Sequence, residues 1–105
     1  MLSNENNFRH YYLKCGFTDL RRGLDGLMTI VQQYGEFDLK QKDSLFLFCG
    51  RRKDRLKAIS WQGNGYILLY YRLEEEKFHW PQSGESFMEI DHSRFVLLIN
   101  GFDIL

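Results

Sequence analysis

Residues 45–81 read LFLFCGRRKDRLKAISWQGNGYILLYYRLEEEKFHWP. Short runs of aromatic, aliphatic and β-branched residues alternate with turn formers roughly every ten residues, the rhythm of an antiparallel meander. Four strands are predicted, over 45–49, 55–61, 65–73 and 77–81, joined by GRRKD, QGN and EEE. The Gln62-Gly63-Asn64-Gly65 stretch admits the positive φ that a tight hairpin needs, so the second and third of these strands should be direct neighbours. Pro81 has no amide to donate to a ladder and belongs at a strand end or sheet edge.

Working outward, residues 1–8 (MLSNENNF) show no periodicity and read as a flexible lead. HYYLKC (10–15) is a short strand that Gly16 closes. A long helix should then start at Thr18 or Asp19, whose side chains can accept from orphan amides, and carry Leu20, Leu24, Leu27 and Val31 on one stripe as far as Gly35. Gly23 and Gly26 weaken that helix by up to about 1 kcal/mol each, which suggests close backbone approach to a neighbour. Downstream, Asp91 or Ser93 can cap a short helix through Asn100, with Phe95, Leu98 and Ile99 on one face and Gly101 as its stop. The apolar tail, Phe102, Ile104 and Leu105, is either docked on the core or offered to a partner. The sum is a single α+β domain over 9–105, an antiparallel meander of four to five strands packed on one long N-terminal helix, with a short C-terminal helix.

The chain has 105 residues, 17 of them aromatic, which fits one core and excludes disorder as the main state. Fourteen basic and fourteen acidic residues leave no global field, so any nucleic-acid surface must be a local patch. Cys15 and Cys49 lie outside any CxxC spacing and fit a reduced, cytoplasmic interior. The longest apolar stretch, 66–71, is far short of the ~20 residues that cross a bilayer, and no membrane partner is expected. The densest basic point is 51–57, RRKDRLK, with Arg51, Arg52, Lys53, Arg55 and Lys57 around a single Asp54. Arg55 and Lys57 should share a sheet face that Arg72 could join from the next strand but one. Such a cluster can contact phosphates, with Trp61, Tyr66 and Tyr70 as stacking surfaces. The same charges would also serve a solvated turn that guards a sheet edge.

Catalytic motifs are absent from the sequence. His10, His79 and His92 form no HxH, HExxH or Cys/His spacing, and Gly63 and Gly65 begin no GxGxxG. Neither a metal nor a cofactor is expected. A metal-dependent nuclease using Asp19, Asp25 or Asp54 is the weakest reading, since these acids share no obvious face. Asp19 and Asp25 are expected to be structural, the first at the helix start and the second within i−4 and i−3 reach of Arg21 and Arg22.

The ordered blocks 11–27, 45–81 and 97–105 resemble the small accessory protein of the insertion sequence 66 family of bacterial transposable elements, the product often called TnpB or Orf2 and distinct from the RNA-guided nucleases of the first name. The family's TD-R-G-DGL block matches Thr18, Asp19, Arg21 or Arg22, Gly23, Asp25, Gly26 and Leu27. Its basic hairpin matches Arg51 to Lys57, its W-x-G-x-G turn Trp61 to Gly65, and its later blocks Tyr71-Arg72-Leu73-Glu74 and Phe78-His79-Trp80-Pro81. The segment after Pro81, QSGESFMEIDHSRF, departs from the pattern. The resemblance implies a non-catalytic helper in DNA transposition, with strand transfer left to a larger acidic-triad transposase. It favours a nucleic-acid role for Arg51, Arg52, Lys53, Arg55, Lys57 and Arg72, joined by Arg21 and Arg22. Element DNA, the transposase and other element-encoded proteins are the implied partners, with self-association also open. An adaptor working through Phe102, Ile104 and Leu105 is the alternative.

Overall fold

The computed structural model describes residues 8–84 and 86–104. Five strands form one sheet in the order β4-β3-β2-β1-β5: β1 His10–Phe17, β2 Ser44–Cys49, β3 Arg55–Trp61, β4 Tyr66–Arg72 and β5 Phe87–Ile90. Helices α1, Leu24–Gln33, and α2, His92–Ile99, complete the elements of the described residues. β2, β3 and β4 form the expected antiparallel run, with Trp61 opposite Tyr66 across the hairpin. Gln62 N–H donates to the Gly65 carbonyl at 2.7 Å, and Gly63 takes the positive φ of +97° that the turn demands.

The meander is not the whole sheet. β1 pairs with β2 in parallel, because α1 lies between them and returns the chain to the end from which it started. The fifth strand is FMEI, which pairs antiparallel with β1, and not the expected KFHWP of 77–81. KFHWP runs without regular structure, yet Phe78 and Trp80 are buried: aromatic side chains in a β-like sequence here cover a sheet face instead of extending the sheet. β1 continues through Gly16, whose φ of +77° accompanies a register irregularity between Leu13 and Phe17, so this glycine bends the strand and does not end it.

The first helix is also shorter than expected. Asp19 does not cap it; its Oδ1 accepts from the Arg21 backbone N–H at 3.0 Å, and Arg22 N–H reaches the Asp19 carbonyl at 3.3 Å. These bonds hold residues 19–22 in a turn, and the helix begins only after Gly23, its extended N-cap. The buried stripe is therefore Leu27, Ile30 and Val31, with Leu20 and Leu24 packed at its margin. At Gly26 an added Cβ would meet only the side chain of Arg22, four residues earlier, at 3.1 Å, and at Gly23 it would meet nothing, so neither glycine marks the expected backbone approach to a neighbouring element. The second helix starts where expected: Asp91 accepts from the Arg94 N–H at 2.8 Å. It ends in a Schellman arrangement, with Gly101 N–H on the Leu98 carbonyl and Phe102 N–H on that of Leu97.

The core has two layers, one on each side of the sheet. Tyr12, Phe46, Phe48 and Ile59 face α1. Tyr11, Leu13, Leu45, Leu47, Leu56 and Ala58 face α2 and the 77–81 segment, where Phe95, Leu98, Phe78 and Trp80 cover them. Central β2 is buried at every residue, which is why SLFLFC lacks alternation. Phe8, the last residue of the expected flexible lead, packs in the second layer; the rest of that lead lies outside the described residues.

Candidate nucleic-acid interface

Alternation along β3 and the direct pairing of β3 with β4 put Arg55, Lys57 and Trp61 on the same sheet face as Arg72, Tyr70, Leu68 and Tyr66. Arg72 comes from the adjacent strand and stands directly opposite Arg55; it does not arrive from the next strand but one. This is the face that α1 packs against, chiefly over β3, and β4 beyond it keeps Tyr70 55% and Leu68 40% exposed.

An open groove of about 720 Å³ lies at the Arg55 end of this face. Its walls come from the connector after β1, which brings Arg21, from the β2–β3 turn, which brings Arg51 and Arg52, and from β3 and β4, which bring Arg55, Lys57 and Tyr70. Gly50 makes the junction possible, because a Cβ there would lie 3.1 Å from Leu20 Cδ1. Lys57 Nζ donates to the Arg22 carbonyl at 3.1 Å and ties the connector to β3. The β2–β3 turn is anchored from its other side: Phe78 N–H donates to the Lys53 carbonyl, Lys77 Nζ to that of Arg52, and Leu73 N–H to that of Asp54.

Five cations line the groove against two carboxylates, Asp19 and Asp54. Arg21 clamps Asp19, with Nη2 to Oδ2 at 2.7 Å and Nε to Oδ1 at 3.0 Å. The Arg21 guanidinium and backbone N–H hold the Asp19 carboxyl well below the usual carboxylate range. Arg55 Nε and Asp54 Oδ1 are 3.7 Å apart, and neither atom has a hydrogen-bond partner among the described residues. Arg51, Arg52 and Lys57 make no ion pair with any described residue, so no described carboxylate neutralises their charge.

The other expected residues are placed as follows. Lys53 leaves the groove and sits over the Phe17 ring at 5.9 Å. Arg22 is exposed beside the groove, and Arg72 pairs with Glu74 at 2.8 Å. Trp61 and Tyr66 pack edge to face at 5.0 Å at the far end of the hairpin, so of the three expected stacking surfaces only Tyr70 stands among the groove's cations. Asp25 is exposed and forms no ion pair with Arg21 or Arg22 among the described residues, because Asp19 already holds Arg21. In the tail, Phe102 is 59% exposed while Ile104 is buried, and Leu105 lies outside the described residues.

Among the described residues no three His, Cys, Asp or Glu side chains converge as a metal site, and no helix is long and apolar enough to cross a membrane. Sequence reading passed over a second basic depression of about 670 Å³, lined by Arg9, Lys40, Lys42 and Trp61, in which Lys40 Nζ lies 4.8 Å from the Trp61 ring. The charged LKQKD segment at 39–43 was its one local signal.

Two proteins of Sinorhizobium fredii (strain NBRC 101917 / NGR234) are similar to this chain. Uncharacterized protein y4jC is 36% identical over 81% of this chain and 72% of its own length. Uncharacterized protein y4hO is 33% identical over 98% of this chain and 88% of its own. No solved structure matches. Residues 9–105 match the family described as IS66 Orf2 like protein, a span that takes in the sheet, both helices and every wall of the groove. The chain therefore belongs to the IS66 Orf2-like family, the small accessory proteins of insertion sequence 66 elements.

Proposed function

We propose that this accessory protein serves transposition as a non-catalytic nucleic-acid-binding module, holding element DNA by its phosphates in the groove between the β1–α1 connector and the β2–β3 turn. The convergence of Arg21 with Arg51, Arg52, Arg55 and Lys57 of the 51–57 run, two separated parts of the chain, on one open groove carries this reading. A duplex presents phosphates that such a row of side chains can neutralise, with release of counterions. Exposed Tyr70 on the groove wall adds a flat surface on which an unpaired base can stack. Arg72, opposite Arg55, extends the cationic strip along β4.

The test is binding of element-end DNA across a salt titration, for the wild type and for an Arg51→Glu/Arg52→Glu/Lys53→Glu variant. The wild type should lose affinity steeply as salt rises, and the variant should bind weakly with a shallower slope. Equal binding by the two proteins removes the groove from the account.

A second reading, docking onto the transposase, is favoured by one observation. Phe102, Leu97 and Val96 are exposed on or just beyond α2, on the opposite side of the sheet from the groove. Co-purification with transposase that survives the charge reversal and is lost with Phe102→Asp supports it, because Phe102 is not a core residue and its loss leaves Ile104 in place.

A further inference from the structure

We infer that two copies of this chain join edge to edge through β4, pairing antiparallel about a two-fold axis at Leu69. β4 is the last strand in the sheet order, so one side of it is open. The hydrogen-bonded positions of the β3–β4 ladder are marked at its ends by Gln62 N–H on the Gly65 carbonyl and Leu73 N–H on the Asp54 carbonyl. Such positions recur at every second residue, so Ile67, Leu69 and Tyr71 turn their backbone groups toward β3. Tyr66, Leu68, Tyr70 and Arg72 turn theirs to the open side, where no loop or terminus among the described residues supplies a backbone partner.

The two edges of the sheet are unequal. β5 is four residues long and carries exposed Glu89, which discourages pairing. β4 is seven residues, YILLYYR, with no proline and no charge before its final arginine. An edge of that length and composition is a template for another strand.

The occupant follows from the strand's self-complementarity. A two-fold at Leu69 sets Leu68 against the partner's Tyr70, and Tyr66 against the partner's Arg72. All four have outward backbone groups, so these are the hydrogen-bonded pairs. On the other face Ile67 meets the partner's Tyr71, and Leu69 meets its own copy. Every residue of the strand finds a compatible neighbour: aliphatic with aromatic, Leu69 with its own copy, and cation with ring. The two Arg72 side chains end at opposite ends of the joint, so no like charges face each other. Leu68 and Tyr70, which the single chain leaves 40% and 55% exposed, become cross-strand neighbours. The axis stands perpendicular to the sheet, so both copies keep the same face on the same side of a ten-stranded sheet. The pairing rests on edge geometry and not on what the groove binds, although Tyr70 lines the groove as well.

The test is the mass of the full chain by light scattering and sedimentation equilibrium, with circular dichroism as the check on folding. The wild type should approach twice the chain mass as concentration rises. Leu68→Glu/Tyr70→Glu sets acid against acid in this register and should be a folded monomer, whereas Leu68→Lys/Tyr70→Glu sets base against acid and should restore the dimer. Amide exchange in the wild type covers the case of a variant that fails to fold: the Leu68 and Tyr70 amides should slow by at least about tenfold between dilute and concentrated protein. A wild type monomeric at every concentration overturns the inference, as do a folded double-glutamate dimer, a folded monomer for the Lys/Glu variant, or concentration-independent exchange. Binding of these amides only to a strand of another protein, with the chain itself monomeric, also overturns it.

Discussion

Arg55 and Arg72 face each other directly across the β3–β4 ladder, each beside an acid of its own: Asp54 at 3.7 Å and Glu74 at 2.8 Å. Like charges in opposed positions work against a sheet, and the flanking carboxylates only partly offset them. A pair retained at that cost is expected to serve a ligand. Arg72→Thr should therefore leave the melting temperature unchanged or raise it, while lowering the salt slope of DNA binding by about one. Thermal melts and a salt titration on the same preparation check both halves.

Asp19 supplies a pH-dependent contribution of known sign. Its folded carboxyl lies well below the ordinary value of 3.8, so its stabilisation is present above that value and is lost as the pH falls below it. The pair is exposed, so the effect is small and screened by salt. The melting-temperature gap between the wild type and Asp19→Asn should be level from neutral pH to about 5 and should close in stronger acid. The same substitution frees Arg21 and removes a negative charge from the groove, so DNA binding at neutral pH should tighten.

The irregular segment after β4 should behave as core. Trp80 is buried and donates its Nε1–H to the Lys14 carbonyl at 2.7 Å. Trp80→Phe leaves that carbonyl without its partner and should cost ~1–3 kcal/mol. Phe78→Ala empties a fully buried position and should cost ~3–5 kcal/mol. Denaturant titrations measure both, and losses of a few tenths for each would show that 77–81 is only a loop.

Cys49 should be chemically silent. Burial pushes its thiol from 9.0 up to about 12, with the nearby Asp54 charge acting in the same direction. A folded pKa above the unfolded one means that stability is full below 9.0 and falls as the pH rises through the window to about 12. Alkylation by iodoacetamide at pH ~8 should proceed only as the protein unfolds. Rapid labelling of the native chain would contradict this burial.

Local chemistry was enough to place β2, β3, β4 and α2. The β2–β4 runs are bounded by turn residues, the β3–β4 hairpin is closed by Gly63, and Asp91 and Gly101 bracket the second helix with hydrogen bonds that span only a few residues. The basic 51–57 turn was legible for the same reason, as was the family through its ordered blocks. What depended on distant partners was not. HYYLKC and FMEI become neighbours only because residues 17–43 fold back over one sheet face and α2 closes the other, and nothing local distinguishes FMEI from KFHWP as a strand. Asp19 turned from helix cap to clamp because Leu20 packs against Gly50, 30 positions away, which holds the connector in a turn. The groove itself is such a product: Arg21 lies 30 positions before the 51–57 run, and the packing of the connector on β3 sets the two around one space.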